Sequence, residues 1–410
     1  MAEDNRRVSV HKIQKDFYMI KAEDTSIKYF EGLWEIPEGV TYNSYVLIGD
    51  EGSAVFDTVS RGFTKEFIEV LKSLIDVKDV KFVVVHHMEP DHSGALPELI
   101  KELNQAAEVL GHPLTGRLIE SLYGLKPRFR PVKDGEVVKL GQHKLTFIHT
   151  PWLHWPETML TYVEDLKYLV TCDVFGAYSI PKHVEIDVNQ LPTEYEYFMR
   201  KYFANVIGYY RENILKNLNK LKQLNLRVEA IAPSHGSILK GENVLEKALT
   251  LYESWAKAEA LDSKVTVVYT SMYGYVERVV EYIVKALSEN GVNANVFKFT
   301  SYERSNVSDL LGEVLTSKLV IVASATYDAD LFPLTTYILE LIVKKTNAEK
   351  PLILLTVYGW GDIASNKAKE LISKSKYKIV RNYGINGLVK DKDYVELNKL
   401  IKEIIELVRG

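Results

Sequence analysis

Residues 83–97 read VVVHHMEPDHSGALP, and the fold of the first half of the chain turns on them. Val83, Val84 and Val85 make an unbroken apolar run, the pattern of a buried parallel strand near its end. That strand feeds His86, His87, Glu89, Asp91 and His92, all of metal-ligating type. Ser93 and Gly94 follow, and a helix is predicted to begin near Leu96 and Pro97. Carboxylates and imidazoles crowded at one strand end lose solvation and repel one another unless a cation holds them. Glutamate with histidine suits iron or another first-row metal better than calcium or magnesium, and the lack of a thiolate argues against a structural zinc. The competing reading is a polar loop with solvated histidines.

Three later stretches repeat the arrangement. A strand over 145–150 leads into the loop PWLHWPET, with His154 at its centre. A strand over 169–171 ends at Cys172 and Asp173, and one over 228–232 ends at Pro233, Ser234, His235 and Gly236. Ligands drawn from separate strand ends imply a site on one rim of a sheet. Paired strands are predicted over 45–48 and 54–56 about the turn 49–52, then a helix over 63–74. A helix near 97–104, strands over 108–110, 137–140 and 159–163, a long helical region over 192–224 and a helix over 245–261 complete this half. Two blocks of strands with intervening helices predict an αββα sandwich, two sheets face to face with helices outside.

The bulk numbers bound the function. A chain of 410 residues is long enough for two or three domains, and 46% apolar with 26% charged residues is globular composition. A net charge of −4 without a basic, aromatic-rich stripe excludes nucleic acid as a partner. No apolar run of about 18 residues exists to span a membrane, and residues 1–17 carry no signal-peptide core, so a cytoplasmic location is expected. The single cysteine, Cys172, excludes internal disulfides, cysteine-rich zinc sites, a rubredoxin-type iron site and cysteine-ligated iron–sulfur clusters.

After Leu261 the texture changes. Strands over 265–269, 293–298, 319–323, 352–357 and 377–381 alternate with helices over 276–287, 307–315, 334–343, 364–373 and 394–408. This predicts a doubly wound α/β domain at 262–410 behind a first domain at 1–261, with its ligand at the carboxyl ends of the strands. The first loop there is Thr270, Ser271, Met272, Tyr273, Gly274, Tyr275, Val276. Hydroxyls, a glycine and a helix N-terminus make an anion site. The absence of GxGxxG and of a Lys-Ser/Thr pair favours a monophosphate cofactor over a dinucleotide or nucleoside triphosphate. The second loop is Ser324, Ala325, Thr326, Tyr327, Asp328, Ala329, Asp330, and the third is Tyr358, Gly359, Trp360, Gly361, Asp362. Their aromatics suit stacking on a flat ring, or equally are packing residues beside a plain turn.

Taken together, these residues resemble the flavodiiron proteins over nearly the whole chain. His87, Glu89, Asp91 and His92 form His-x-Glu-x-Asp-His, similar to the metallo-β-lactamase motif His-x-His-x-Asp-His with glutamate replacing the second histidine. Leu153, His154, Trp155 and Pro156, then Asp173 before Val174-Phe175-Gly176, and His235 in Pro-Ser-His-Gly continue the family order, and the three later loops match its FMN loops. The resemblance implies one iron on His87, Glu89 and His154, another on Asp91, His92 and His235, and Asp173 bridging them. It implies reduction of O2 to water, of NO to nitrous oxide, or both, with FMN relaying electrons from an external donor that is rubredoxin-like, a flavoprotein reductase or F420-type. It also implies a head-to-tail homodimer, alone or within a tetramer, in which the flavin of one chain faces the irons of the other. Tyr202 is a candidate proton donor beside the site, or a packing residue. His86 and His149 are expected to support the site or the core, and His11, His112, His143 and His183 to be surface or packing residues.

The chain departs from the family pattern in three places. Tyr275-Val276 stands where a hydroxyl is usual, which removes a phosphate contact; Ala325 replaces a common proline; and Asp328 and Asp330 put negative charge near the expected ring, which disfavours an anionic reduced flavin. Two competing functions remain at this level: a dizinc hydrolase of the lactamase fold with an appended flavin domain, and a flavodoxin-like electron carrier whose first domain only docks.

Overall fold

Alternation along the central strands builds the first core. Phe82 and Val84 from strand Val80–Val85 and Leu145 and Phe147 from strand His143–His149 meet in one buried cluster, so their sheets lie face to face. Each such side chain contributes about 1.5–3 kcal/mol by leaving water. Val83 and Val85 are buried as well, so the strand is covered on both faces, as a run of valines predicts. The computed structural model describes residues 7–260 and 263–410, in two units, Met1–Glu253 and Ser254–Gly410. The boundary expected near Leu261 lies outside the described residues.

Among the described residues, the first unit holds two seven-stranded sheets and a small two-stranded one, Tyr29–Phe30 with Trp34–Glu35. In one, strand Val80–Val85 runs parallel between Gly52–Phe56 and Glu108–Gly111; in the other, Tyr168–Cys172 runs parallel to Ala230–Pro233. Strands Val40–Gly49 and Gly52–Phe56 form the predicted hairpin. Several elements were not read from the pattern. Arg7–Gln14 and Phe17–Asp24 pair at one edge, and helix Thr115–Tyr123 follows strand Glu108–Gly111. Pro90–Ser93, expected as loop, is a helical turn with proline at its start, where the missing N–H costs nothing. The helical region expected over 192–224 breaks into Thr193–Tyr202, a widened turn Phe203–Ile207, a tight turn Gly208–Tyr210 and Arg211–Gln223. All five residues of the widened turn are buried, and the extra residue turns them into the core.

The second unit has parallel strands in the order Ala294–Phe299, Val265–Thr270, Leu319–Tyr327, Pro351–Tyr358, Lys378–Asn386. This is the flavodoxin-like order, with the cofactor crevice at the carboxyl ends. The third strand runs four residues past its expected end and folds back as a hairpin onto Asp330–Leu331. Asp328 (φ 48°) and Ala329 (φ 57°) occupy the turn, both left-handed as a two-residue hairpin demands. Alanine there hides the turn from pattern reading, because Asn-Gly or Asp-Gly is the usual signal. Among the described residues no helix is long and apolar enough to cross a membrane.

Candidate metal centre and cofactor pocket

Four strand ends of the first unit converge on one buried cluster. The loop after Val80–Val85 brings His87, Glu89, Asp91 and His92; the loop after His143–His149 brings His154; Tyr168–Cys172 ends at Asp173; and Ala230–Pro233 leads to His235. All seven expected residues meet there, in two groups. His154 Nε2 lies 3.1 Å from Glu89 Oε2 and 3.2 Å from Asp173 Oδ2. His87 Nε2 lies 3.2 Å from the same Glu89 oxygen and 3.6 Å from Asp173 Oδ2. In the second group His92 Nε2 stands 2.8 Å from Asp173 Oδ1 and 3.4 Å from Asp91 Oδ1. His235 Nε2 stands 3.3 Å from Asp91 Oδ2 and 3.3 Å from Asp173 Oδ1. Asp173 therefore gives one oxygen to each group.

The cluster is buried apart from the side chains of Glu89, Asp91 and His154, which remain 19%, 15% and 10% exposed. Burial by itself lowers an imidazole pKa, but the neighbouring carboxylates outweigh it here. Hydrogen bonds to Glu157 and Glu89 hold His87 up at about 10, and Asp173 with Asp91 does the same for His235. His92 and His154 are raised to about 9, against burial, chiefly by Asp173. Against the opposite pull of burial, the imidazoles hold Asp173 and Glu89 well below the usual carboxylate range. These groups fit a metal pair. Asp173 Oδ2, His154 Nε2, His235 Nε2 and Asp91 Oδ1 are buried yet make no hydrogen bond of acceptable geometry. Separations near 3 Å are those of atoms sharing one cation through bonds of about 2.1 Å. The donor set, imidazole and carboxylate without thiolate, suits iron. Cys172 lies beside His92 and Asp173, but burial pushes its thiol well up, so it stays protonated and is a poor ligand.

Residues around the cluster fix its tautomers. His87 Nδ1 donates to Glu157 Oε1 at 2.9 Å, and His235 Nδ1 donates to the Thr41 carbonyl at 2.6 Å, which leaves each Nε2 for a metal. Glu157 was missed as a site residue; its only sequence signal is its place directly after His154-Trp155-Pro156. Tyr202 is fully buried and donates to Asp173 Oδ1 at 2.6 Å. His86 turns away, held by Asp57 at 2.7 Å and Thr161 at 2.7 Å, and belongs to the core as expected. His149 is half-buried against the Val132 carbonyl. Asp57 (φ 54°) and Cys172 (φ 52°) are left-handed, so backbone strain gathers at this rim.

In the second unit the three loops surround a cavity of about 500 Å3. Ser271, Met272, Tyr273, Tyr275, Val276, Ala325, Thr326, Tyr327, Asp328, Tyr358, Gly359 and Trp360 line it. Gly387 and Leu388, from a fourth loop that sequence reading missed, complete the wall. Thr270 and Ser324 lie beneath, tied through Thr335 Oγ1 at 2.7 Å each, and Gly361 stands outside the wall. Gly274 caps helix Tyr275–Glu289 at φ 81°, and its N–H meets Ser271 Oγ at 3.1 Å. Val276 is buried, while Trp360 and Tyr273 are 79% and 81% exposed at the mouth. Large aromatics left in water around an apolar cleft, above a helix N-terminus, fit a planar ring carrying one phosphate.

Residues 40–236 match the family described as ODP family beta lactamase, and residues 267–393 match the flavodoxin family. A nitric oxide reductase from Moorella thermoacetica is 31% identical over 91% of this chain and 92% of its own. A rubredoxin-oxygen oxidoreductase from Megalodesulfovibrio gigas is 32% identical over 78% of this chain and 79% of its own. The structure of a mutant flavo di-iron protein from Thermotoga maritima aligns with a TM-score of 0.91 at 34% identity, covering 98% of this chain and 99% of that one. The hydrolase alternative is not favoured, since these relatives are reductases. Two domains of the right kinds in the right order, with full-length relatives on both sequence and structure, decide the matter: the chain belongs to the flavodiiron proteins.

Proposed function

We propose that this protein is an FMN- and diiron-dependent oxidoreductase that reduces O2 to water, NO to nitrous oxide, or both. The observation that carries the reading is the shared carboxylate: Asp173 turns Oδ1 toward His92 and His235 and Oδ2 toward His154 and His87. His87, Glu89 and His154 would hold one iron and Asp91, His92 and His235 the other, with Asp173 shared between the two groups. The metal pair would supply open coordination positions for the diatomic gas, and the flavin would supply a relay for the reducing electrons.

The chain's own groups do the rest. Glu157 and the Thr41 carbonyl orient His87 and His235. Tyr202 positions Asp173 by its hydrogen bond and leaves the second oxygen to the other group. Sealing the imidazoles from solvent strengthens every charge interaction within the cluster. In the cleft of the second unit, Ser271 and the N-terminus of helix Tyr275–Glu289 would hold the flavin phosphate, and Tyr358 and Trp360 would flank its ring.

Electrons come from outside the chain, since Cys172 is its only cysteine. A rubredoxin-like donor is favoured by the rubredoxin-oxygen oxidoreductase among the relatives; a flavoprotein reductase and an F420-type donor are the other choices. The active assembly is a head-to-tail homodimer, alone or paired into a tetramer, in the cytoplasm. Anaerobic stopped flow of the reduced, iron-loaded protein against O2 and NO separately tests the reading. Oxidation of the flavin within seconds by at least one gas is expected. Inertness toward both, or zinc alone in protein from iron-replete cells, overturns it.

A further inference from the structure

The loop that carries Trp360 is held from outside itself. Gly359 and Gly361 flank the tryptophan, and neither has a positive φ. A Cβ at Gly359 would meet nothing within 4 Å, and one at Gly361 would meet only the Ile363 side chain, at 3.9 Å. The fold therefore does not require glycine at either position. Two glycines keep the loop slim enough for a flat ligand to approach its backbone, and they also leave it loose. Trp360 cannot anchor the loop, since most of its surface is in water.

The anchors lie at its two ends. At the far end Asp362 caps helix Ile363–Ile372, accepting the Ser365 N–H at 3.3 Å, and its second oxygen occupies the space that a Cβ on Gly384 would fill. At the near end strands Pro351–Tyr358 and Lys378–Asn386 finish together, with Tyr358 opposite Asn386. Just beyond that last pair, the Gly387 N–H donates to the Tyr358 carbonyl at 2.9 Å, and Asn386 Nδ2 donates to the Gly359 carbonyl at 2.6 Å. Among the described residues, this amide makes the only hydrogen bond to residues 359–361. Asn386 is exposed, so its side chain has no packing role to explain it. Two residues further on, Leu388 forms part of the cleft wall.

Resting on the FMN reading above, we propose that Asn386 is a positioning residue for the flavin ring. Its amide holds the Gly359 carbonyl and so keeps the loop with Trp360 in place at the cleft mouth before any ligand arrives. A loop left free at this end would have to be ordered by the ligand, and that cost would come out of the binding energy. Asn386 acts through residues 359–361 and on the ring side of the cleft, whereas Ser271 and the helix N-terminus serve the phosphate side.

Titration of the flavin-free, full-length protein with riboflavin and with FMN, read by flavin fluorescence, tests this. Two variants are compared with wild type: Asn386→Ala, and Asn386→Asp, which keeps the shape but sets a carboxylate against the Gly359 carbonyl. Both flavins are expected to bind each variant about three- to tenfold more weakly, and by the same factor, because the phosphate does not meet this loop. The melting temperature of the flavin-free protein should match wild type. Added to Trp360→Ala, the Asn386→Ala change should cost riboflavin little more, since the amide acts through the loop that carries the tryptophan. Wild-type affinity in both variants, a loss confined to FMN, full additivity with Trp360→Ala, or a lowered melting temperature overturns the proposal. If the wild-type protein binds neither flavin, the FMN reading fails and the proposal falls with it; wild-type binding beside unchanged variants sinks the proposal alone.

Discussion

Glu157 Oε1 sits 2.9 Å from His87 Nδ1, and both side chains are fully buried. The same oxygen accepts the Met88 N–H at 3.1 Å, so one carboxylate fixes both the ring and the backbone of the ligand loop. Its pKa is lowered against burial by His87, so it is ionised and strengthens the imidazole as a donor. Replacing Glu157 by Gln keeps the shape and removes the charge. Iron affinity on the His87 side is expected to fall about 10- to 100-fold, read as iron per chain at limiting metal. Wild-type loading in this variant would remove Glu157 from the site.

Asp173 is the one residue that faces both groups. Asp173→Ala is therefore expected to lose both irons, while His154→Ala loses the one held with His87 and Glu89. Metal analysis of the two variants after identical loading separates these outcomes.

The metal-free cluster stores protons. His87 and His235 sit at about 10 and His92 and His154 at about 9, above the ordinary 6.5 of a free imidazole. Raised imidazoles stabilise the fold fully below about pH 6.5, and that stability disappears as pH climbs through 9 to 10. The lowered carboxylates of Glu89 and Asp173 work the other way; their contribution is present above about pH 4.5 and is lost in acid. The metal-free first unit is thus expected to be most stable between about pH 4.5 and 6.5 and to lose stability steadily above that, checked by denaturant titration across pH. Iron must displace the imidazole protons, so its affinity is expected to rise steadily from pH 6 to 8 with measurable proton release. Calorimetry in buffers of different ionisation enthalpy reads this directly, and binding without proton release would contradict it.

Trp360 is 79% exposed at the mouth of the second-unit cavity, so its removal costs the fold little. Trp360→Ala is expected to weaken FMN binding about tenfold through lost stacking, measured by recovery of flavin fluorescence on dilution.

Much of this site was legible because its chemistry is local. His87 to His92 lie on one loop, and short strands announce His154, Asp173 and His235 by ending just before them. The second unit was legible for a different reason: buried parallel strands and amphipathic helices repeat at regular spacing. What stayed hidden depended on distance or on unusual turns. Glu157 meets His87 across 70 positions, and no local pattern marks such a pair. Ala329 in a left-handed turn and the widened turn Phe203–Ile207 break local preference, and tertiary packing holds them there. The edge strands Arg7–Gln14 and Phe17–Asp24 pair across the chain in a register that is regular almost throughout, and such a register shows only in the fold.

The solitary thiol has a use beyond its exclusion of disulfides. Cys172 is wholly enclosed at the end of strand Tyr168–Cys172, one position before Asp173, and is the only sulfhydryl in the chain. A thiol reagent reaches it only when that strand end comes apart, so the labelling rate counts openings of the sandwich at this spot. Clamping the neighbouring carboxylate between two ions should slow alkylation sharply, which turns one side chain into an internal clock for how long the centre stays assembled.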